Sequence, residues 1–483
     1  MTFNSWEFLI FYPIVAALYF ILPKKMKWPL LLIASYYFYA FYQAELLFLI
    51  ILTTVVSFFM SHLIERTEKS SHKRLYLALT LSVCLGVLFF YKYFNFLSSS
   101  VSGIIGLFGK QTPTLVLDLV LPVGISFYTF QTLSYVIDVY RGDIKTEKNI
   151  FFYALFVSFF PQLVAGPIER PGNLIPQLRD PHPPTRDNFI RGSKQMLLGF
   201  FKKICVADLL SSYVSAVYNS SENATSLAVV IATVMFALQI YCDFSGYTDI
   251  ATGCARIMGI RLMKNFDRPY SARSIKEFWA RWHISLSGWF KDYLYIPLGG
   301  SRCSAVRNAF NVFLVFLVSG LWHGASWTFV IWGALHGLYR IVGSLTEKGR
   351  VSILHRLGID PFSRLIGTAK RVITFVLVCF AWIFFRANSI SDALVLVGAL
   401  FTRAGSIAET LSLMKLDTVS IFLIILSVGV MLLIDRALSY DEQDGSDILV
   451  KDGAFIYYVL AIAMVWLLLL SKGQSSTFIY FQF

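Results

Sequence analysis

The chain alternates long apolar runs with short polar breaks, and the breaks collect the basic residues. Residues 6–22, 28–42, 46–63 and 76–93 each approach or reach the roughly 20 apolar residues that cross a bilayer. Lys24, Lys25 and Lys27 follow the first run, and Arg66, Lys69, Lys73 and Arg74 follow the third. Glu45 is the only charge between the second and third. Basic loops stay in the cytoplasm, so the pattern predicts an extracytoplasmic N-terminus. No basic stretch precedes run 6–22, which therefore reads as a first span rather than a cleavable signal.

Residues 115–139 predict a further span, with the helix breakers Pro122 and Gly124 early in it. Residues 150–164 are short for a span and run into Gly166-Pro167-Ile168-Glu169-Arg170-Pro171. That predicts a re-entrant segment enclosed by protein, with Glu169 and Arg170 paired to each other or to neighbours. From Phe189 the pattern turns amphipathic, with Arg191, Lys194, Lys202 and Lys203 among Leu and Phe, as in a helix lying at the interface. Residues 227–257 predict a long helix holding Asp243 and Asp249, and a carboxylate at that depth either pairs with a neighbouring Arg or lines a channel.

Residues 274–298 are aromatic but too polar to face lipid. Read as one helix, they put His283 and Ser287 on one face and Arg281, Ser285 and Asp292 on the other. Runs 310–322 and 327–341 follow, then 372–385, 418–434 and 454–470. Asp441, Glu442, Asp444, Asp447 and Asp452 form an acidic loop before the last. The total is about eleven spans plus one or two re-entrant segments. The expected fold is an all-α polytopic membrane protein, a single domain over 1–483. It has peripheral helices in 1–110, a core in 111–345 and further helices in 346–483.

Composition agrees. Of 483 residues, 56% are hydrophobic and 15% charged, where a soluble domain carries about 25% charged. The net charge of +13 fits cytoplasmic loops and anionic lipid headgroups rather than nucleic acid. The densest basic stretch is Arg256, Arg261, Lys264, Arg268, Arg273, Lys276 and Arg281. It either sets topology or grips the phosphates of a coenzyme, with Arg273, Lys276 and Arg281 the candidates. Six scattered cysteines without a CxxC pair suggest neither a disulfide framework nor a zinc site. No phosphate loop or metal-ligand spacing is present, so no metal and no permanently bound cofactor is expected.

The candidate chemistry lies in two histidines. His323 sits in Gly320-Leu321-Trp322-His323-Gly324-Ala325-Ser326-Trp327, and His283 in Arg281-Trp282-His283-Ile284-Ser285-Leu286-Ser287. An ionisable side chain at membrane depth is a functional candidate. A neutral imidazole can act as general base near pH 7. Trp282, Ser287, Trp289, Asp292, Tyr295, Trp322, Trp327 and Asp243 are the expected walls of a substrate tunnel. His336 is 13 residues beyond His323, about 220° round an unbroken helix, so it reads as a packed structural residue.

Those two motifs, with Asp292-Tyr293-Leu294-Tyr295-Ile296-Pro297-Leu298-Gly299-Gly300 between them, resemble the membrane-bound O-acyltransferase family. The Gly166-Pro167-Ile168 turn, 241–249, Phe385-Arg386-Ala387 and Phe478-Ile479-Tyr480-Phe481-Gln482-Phe483 narrow the resemblance to members that O-acetylate exopolysaccharides such as alginate. The resemblance implies a ring of tilted helices around a thinned centre. It also implies a catalytic His323, with His283 lining the same tunnel. Acetyl-CoA is the implied donor, and an extracytoplasmic partner of SGNH-hydrolase type completes transfer to the polysaccharide. The related D-alanyl transfer protein of teichoic acid synthesis uses a carrier-protein thioester, so the donor stays open. Two other classes compete. A transporter or flippase for an acylated or lipid-linked intermediate is suggested by Asp243 and Asp249. A scaffold for a polysaccharide synthase would need neither histidine.

Overall fold

A computed structural model describes residues 1–109, 113–164, 166–180, 183, 185–441, 446–449 and 478–479. The chain divides into two compact units, 1–196 with 247–263, and 197–246 with 264–483.

In the first unit, α1 (Trp6–Ile21) and α2 (Lys24–Gln43) lead into α3 (Leu47–Arg66). α4 (Ser70–Leu88) continues through a π-helical turn, Phe89–Tyr93, into α5 (Phe94–Leu107). α6 (Ile125–Arg141) packs on α3 and α4. The expected span at 115–139 is thus shorter at its start: residues 113–122 are not helical. Pro122 and Gly124 explain this, because Gly124 takes a left-handed φ of 74° at the N-cap of α6. A Cβ there would lie 2.6 Å from the Leu163 carbonyl oxygen, so this turn accepts only glycine.

The predicted re-entrant segment is broken into α7 (Ile150–Ser158), α8 (Phe160–Leu163) and α9 (Pro171–Arg179). Phe159 ends the first, and Pro161 starts the second, where its missing N–H costs nothing. Glu169 is fully buried and accepts from Asn173 Nδ2 at 2.6 Å and from the Met263 backbone N–H. Gln177 pairs both ways with the Arg261 backbone, at 2.8 and 3.0 Å. Burial pushes the Glu169 carboxyl up to about 7, against the opposing pull of the Met263 N–H, Asn173 and Arg170. The folded protein therefore keeps this proton between pH 4.5, the ordinary value, and about 7, where the unfolded chain releases it. Stability falls as pH rises through that window. Glu169→Gln flattens the fall, on the order of a few kcal/mol, in thermal melts compared at pH 5 and pH 8.

α10 (Arg186–Phe200) runs through a π-helical stretch, Phe201–Asp208, into α11 (Leu209–Tyr218). α12 (Ser226–Ile257) follows. Gly192 and Gly253 meet so closely that a Cβ on Gly253 would lie 2.6 Å from the Gly192 carbonyl oxygen, the close approach that small residues give membrane helices.

In the second unit, Lys202 and Lys203 overturn the interfacial reading of their stretch. Both are buried, and Lys203 is paired with Asp208 and Asp243. The extra residue per turn of the π-helix rotates them away from a solvent stripe. The expected single helix over 274–298 is instead α13 (Ile275–Arg281), α14 (Ile284–Phe290) and a π-helical turn, Lys291–Tyr295. α15 (Ala305–His323) and α16 (Trp327–Arg356) form a tight hairpin. α17 (Arg364–Arg386), α18 (Ile390–Thr402), α19 (Ile407–Met414) and α20 (Thr418–Ala437) complete the helices; α18 and α19 were not expected. Strands β1 (Leu438–Asp441) and β2 (Ser446–Leu449) pair antiparallel inside the acidic loop. The expected span 454–470, with Glu442, Asp444 and Asp452, lies outside the described residues.

Among the described residues six helical stretches are long and apolar enough to cross a membrane: 44–66, 70–107, 226–257, 305–323, 364–386 and 418–436. The expected count of eleven included shorter helices, such as α1 at 16 residues.

Candidate functional site

The α15–α16 hairpin sets His323. Gly320 faces Phe329, and a Cβ there would collide with the Phe329 carbonyl oxygen; Gly333 stands in the same relation to Phe316. Two helices can approach this closely only where side chains are missing. Ser326 caps α16 by accepting from the Thr328 N–H at 3.3 Å. The chain reverses at Gly324, so His323 and His336 are not on one helix, and the 220° estimate does not apply. Trp332 lies between them, its ring 5.0 Å from His323 and 4.9 Å from His336. His336 Nδ1 accepts from Trp279 Nε1 at 3.2 Å, a structural bond in the aromatic core.

His323 is 3% exposed. Its ring meets Trp332, Trp322 at 5.0 Å and Phe385 at 5.4 Å, all near-perpendicular. Such edge-to-face contacts fix a ring while leaving its nitrogens for polar partners.

His283 arrives from a different construction. It is the N-cap of α14 with φ 44° and ψ 55°, a left-handed conformation that costs a non-glycine residue about 1–3 kcal/mol. The cost is offset by a short strand-like clamp. Phe266 bridges to Trp282, the Asp267 N–H donates to the Arg281 carbonyl at 2.9 Å, and the Ile284 N–H donates to the Asn265 carbonyl at 3.0 Å. The buried Asn265 Oδ1 also accepts from Ser285 Oγ at 2.6 Å and from the Ser285 N–H at 3.3 Å. Asn265→Ala takes this shared acceptor away from two buried donors. It lowers stability by about 1–3 kcal/mol, read by thermal unfolding in detergent.

The two constructions converge. The His283 and His323 rings are 6.4 Å apart, centre to centre, and His283 is fully buried. That is too far for a ring-to-ring hydrogen bond but close enough for one small group to touch both. Phe244 edges His283 at 4.7 Å, and Trp322 lies 5.8 Å from it. Burial pushes the His283 imidazolium down to about 3, so this ring is neutral at pH 7 and offers one donor and one acceptor.

The other expected wall residues scatter. Trp322 belongs with the pair. Trp282 is buried one step away, stacked on Phe278 at 5.6 Å and packed on Trp382 at 5.3 Å. Trp289 is buried against Tyr293 and Phe290. Ser287 and Asp292 are half-buried, and the Tyr295 hydroxyl donates to Asn308 Oδ1 at 2.6 Å. Trp327 starts α16 and is 48% exposed. Asp243 pairs with Lys203 at 2.7 Å, a lysine where an arginine was expected. Of the basic candidates, Arg281 is engaged with Glu277 at 2.9 Å, while Arg273 and Lys276 are exposed. Phe244, Trp332 and Phe385 were missed as site residues. Phe244 and Phe385 lie within the stretches 241–249 and 385–387 that carry the resemblance, and Trp332 stands one turn before His336.

Residues 144–349 match the model of the MBOAT, membrane-bound O-acyltransferase family. The chain is 38% identical over 406 residues to the probable alginate O-acetylase of Pseudomonas aeruginosa, covering 83% of this chain and 75% of the relative. It is 35% identical to the probable alginate O-acetylase of Azotobacter vinelandii, over the full length of both. The peptidoglycan O-acetyltransferase of Helicobacter pylori is 34% identical over 430 residues, 82% of this chain and 78% of the relative.

Proposed function

We propose that this chain, a multi-pass membrane protein that belongs to the membrane-bound O-acyltransferase family and is an acyltransferase, passes acetyl groups across the bacterial inner membrane. The donor is a cytoplasmic thioester, acetyl-CoA. The final acceptor is an exopolysaccharide such as alginate, reached through an extracytoplasmic SGNH-type partner. The observation that carries this reading is the enclosed His283–His323 pair at 6.4 Å.

His323 is the general base. It takes the proton of the acceptor hydroxyl as that oxygen attacks the thioester carbonyl. The N–H of neutral His283 donates to the carbonyl oxygen and supports the charge that develops there. When the C–S bond breaks, the proton on His323 leaves with the thiol, and the base is restored. Exclusion of bulk water by the surrounding rings protects the thioester from hydrolysis.

The test uses purified protein with acetyl-labelled acetyl-CoA, alone and with the partner. Release of free thiol with transfer of label supports the reading. Turnover only with a D-alanyl carrier thioester moves the chain to teichoic-acid-type transfer. Passage of substrate with the thioester intact means transport. The transport reading has lost one support, because Asp243 is already engaged by Lys203.

A further inference from the structure

Asp243 immediately precedes Phe244, the ring that edges His283. Its two oxygens are divided between partners. Oδ1 lies 2.7 Å from Lys203 Nζ, and Oδ2 accepts the backbone N–H of Ile479 at 2.7 Å. Lys203 Nζ is also 2.9 Å from Asp208 Oδ1. Lys203, Asp208 and Asp243 are each no more than 6% exposed. The π-helical stretch 201–208 brings residues five apart onto one face, which places Lys203 and Asp208 together. The residue before Ile479, Phe478, is equally buried and packs on Phe244 at 6.2 Å. Phe244 therefore contacts both the Phe478 ring and the His283 ring.

Three buried charges add little net stability, because desolvation opposes their attraction. What they provide here is a fixed point for a backbone amide 236 residues away. We propose that the Lys203–Asp208–Asp243 cluster is a positioning device that anchors segment 478–479, which through Phe244 holds the His283 ring toward His323. Asp243 thus acts on the site through other residues and does not touch substrate. The consequence for acetyl transfer rests on the reading of the site given above; the anchoring does not.

The experiment uses the full-length protein in nanodiscs. Ile479→Pro deletes the donor N–H, and Ile479→Ala keeps it. Phe478→Ala removes the ring and keeps the N–H. Asp243→Asn keeps an acceptor for the amide, and Asp243→Ala does not. Two signals are read: modification of His283 by diethyl pyrocarbonate, located by mass spectrometry, and acetyl transfer with kcat and KM separated. Ile479→Ala stays within about twofold of the parent in both signals. Ile479→Pro and Phe478→Ala expose His283 to modification about tenfold faster and lower kcat about tenfold, with KM for acetyl-CoA within about twofold. Asp243→Asn retains at least about fivefold more activity than Asp243→Ala. Equal behaviour of Ile479→Pro and Ile479→Ala in both signals overturns the anchoring, and so does equality of the two Asp243 variants. If the parent protein transfers no acetyl group, the functional reading fails while the modification rates still decide the anchoring.

Discussion

His323→Ala lowers acetyl transfer by about 10²–10⁴-fold, the range that a positioned general base contributes. The protein still reaches the membrane and elutes as a single species in detergent. The side chain touches rings rather than holding the fold together: Trp332 also packs on Trp382 and Phe385, which keep the cluster closed after truncation. The measurement is labelled acetyl transfer at saturating and limiting donor. A fall in kcat with unchanged KM marks loss of proton transfer rather than loss of binding. His323→Ala with parental activity removes this residue as the base. His283→Ala has a smaller effect, about 10–10³-fold, because it removes one donor to the carbonyl oxygen and leaves the base in place.

Gly333→Ala destabilises the hairpin that carries the site. A Cβ at Gly333 would collide with the Phe316 carbonyl oxygen and lie 3.3 Å from the Gly320 Cα, and neither backbone can yield without separating α15 from α16. Overpacking of this kind costs about 1–3 kcal/mol or more. It shows as a lower melting temperature in nanodiscs and a smaller folded fraction after extraction. Gly343→Ala is the matched control. It lies on the same helix with nothing within 4 Å of the added carbon. There the helix gains from the better residue, by about 0.8–1 kcal/mol at most. If the two variants melt alike, the close crossing does not hold the hairpin together.

The long apolar helices were legible because length and hydropathy report a bilayer directly. The two motif histidines were legible because an imidazole in such company is costly. The breaks were harder. Trp282-His283 carries no Gly or Pro, so nothing local marks the left-handed residue; its cause is Asn265, 18 residues earlier, which a helical period cannot see. The break at Gly324 falls between the two runs 310–322 and 327–341, but the reversal itself was missed by the 220° estimate, although Gly320 and Gly333 signal it once a close crossing is considered. Lys202 and Lys203 misled because a π-helical turn changes which residues share a face. Phe244 and Phe385 lay within motif stretches and Trp332 in an apolar run, but it is three-dimensional packing that brings the three rings against the two histidines.

The linkage between Asp243 and Ile479 has a bearing on how the molecule is made. The hairpin of α15 and α16 joins neighbours in sequence and can close while the ribosome is still at work. The amide that Asp243 holds is translated 236 residues after it. A nascent chain therefore assembles its scaffold early but completes the surroundings of His283 only once Ile479 has been added. Until then a partly threaded copy carries the histidines without their finished enclosure.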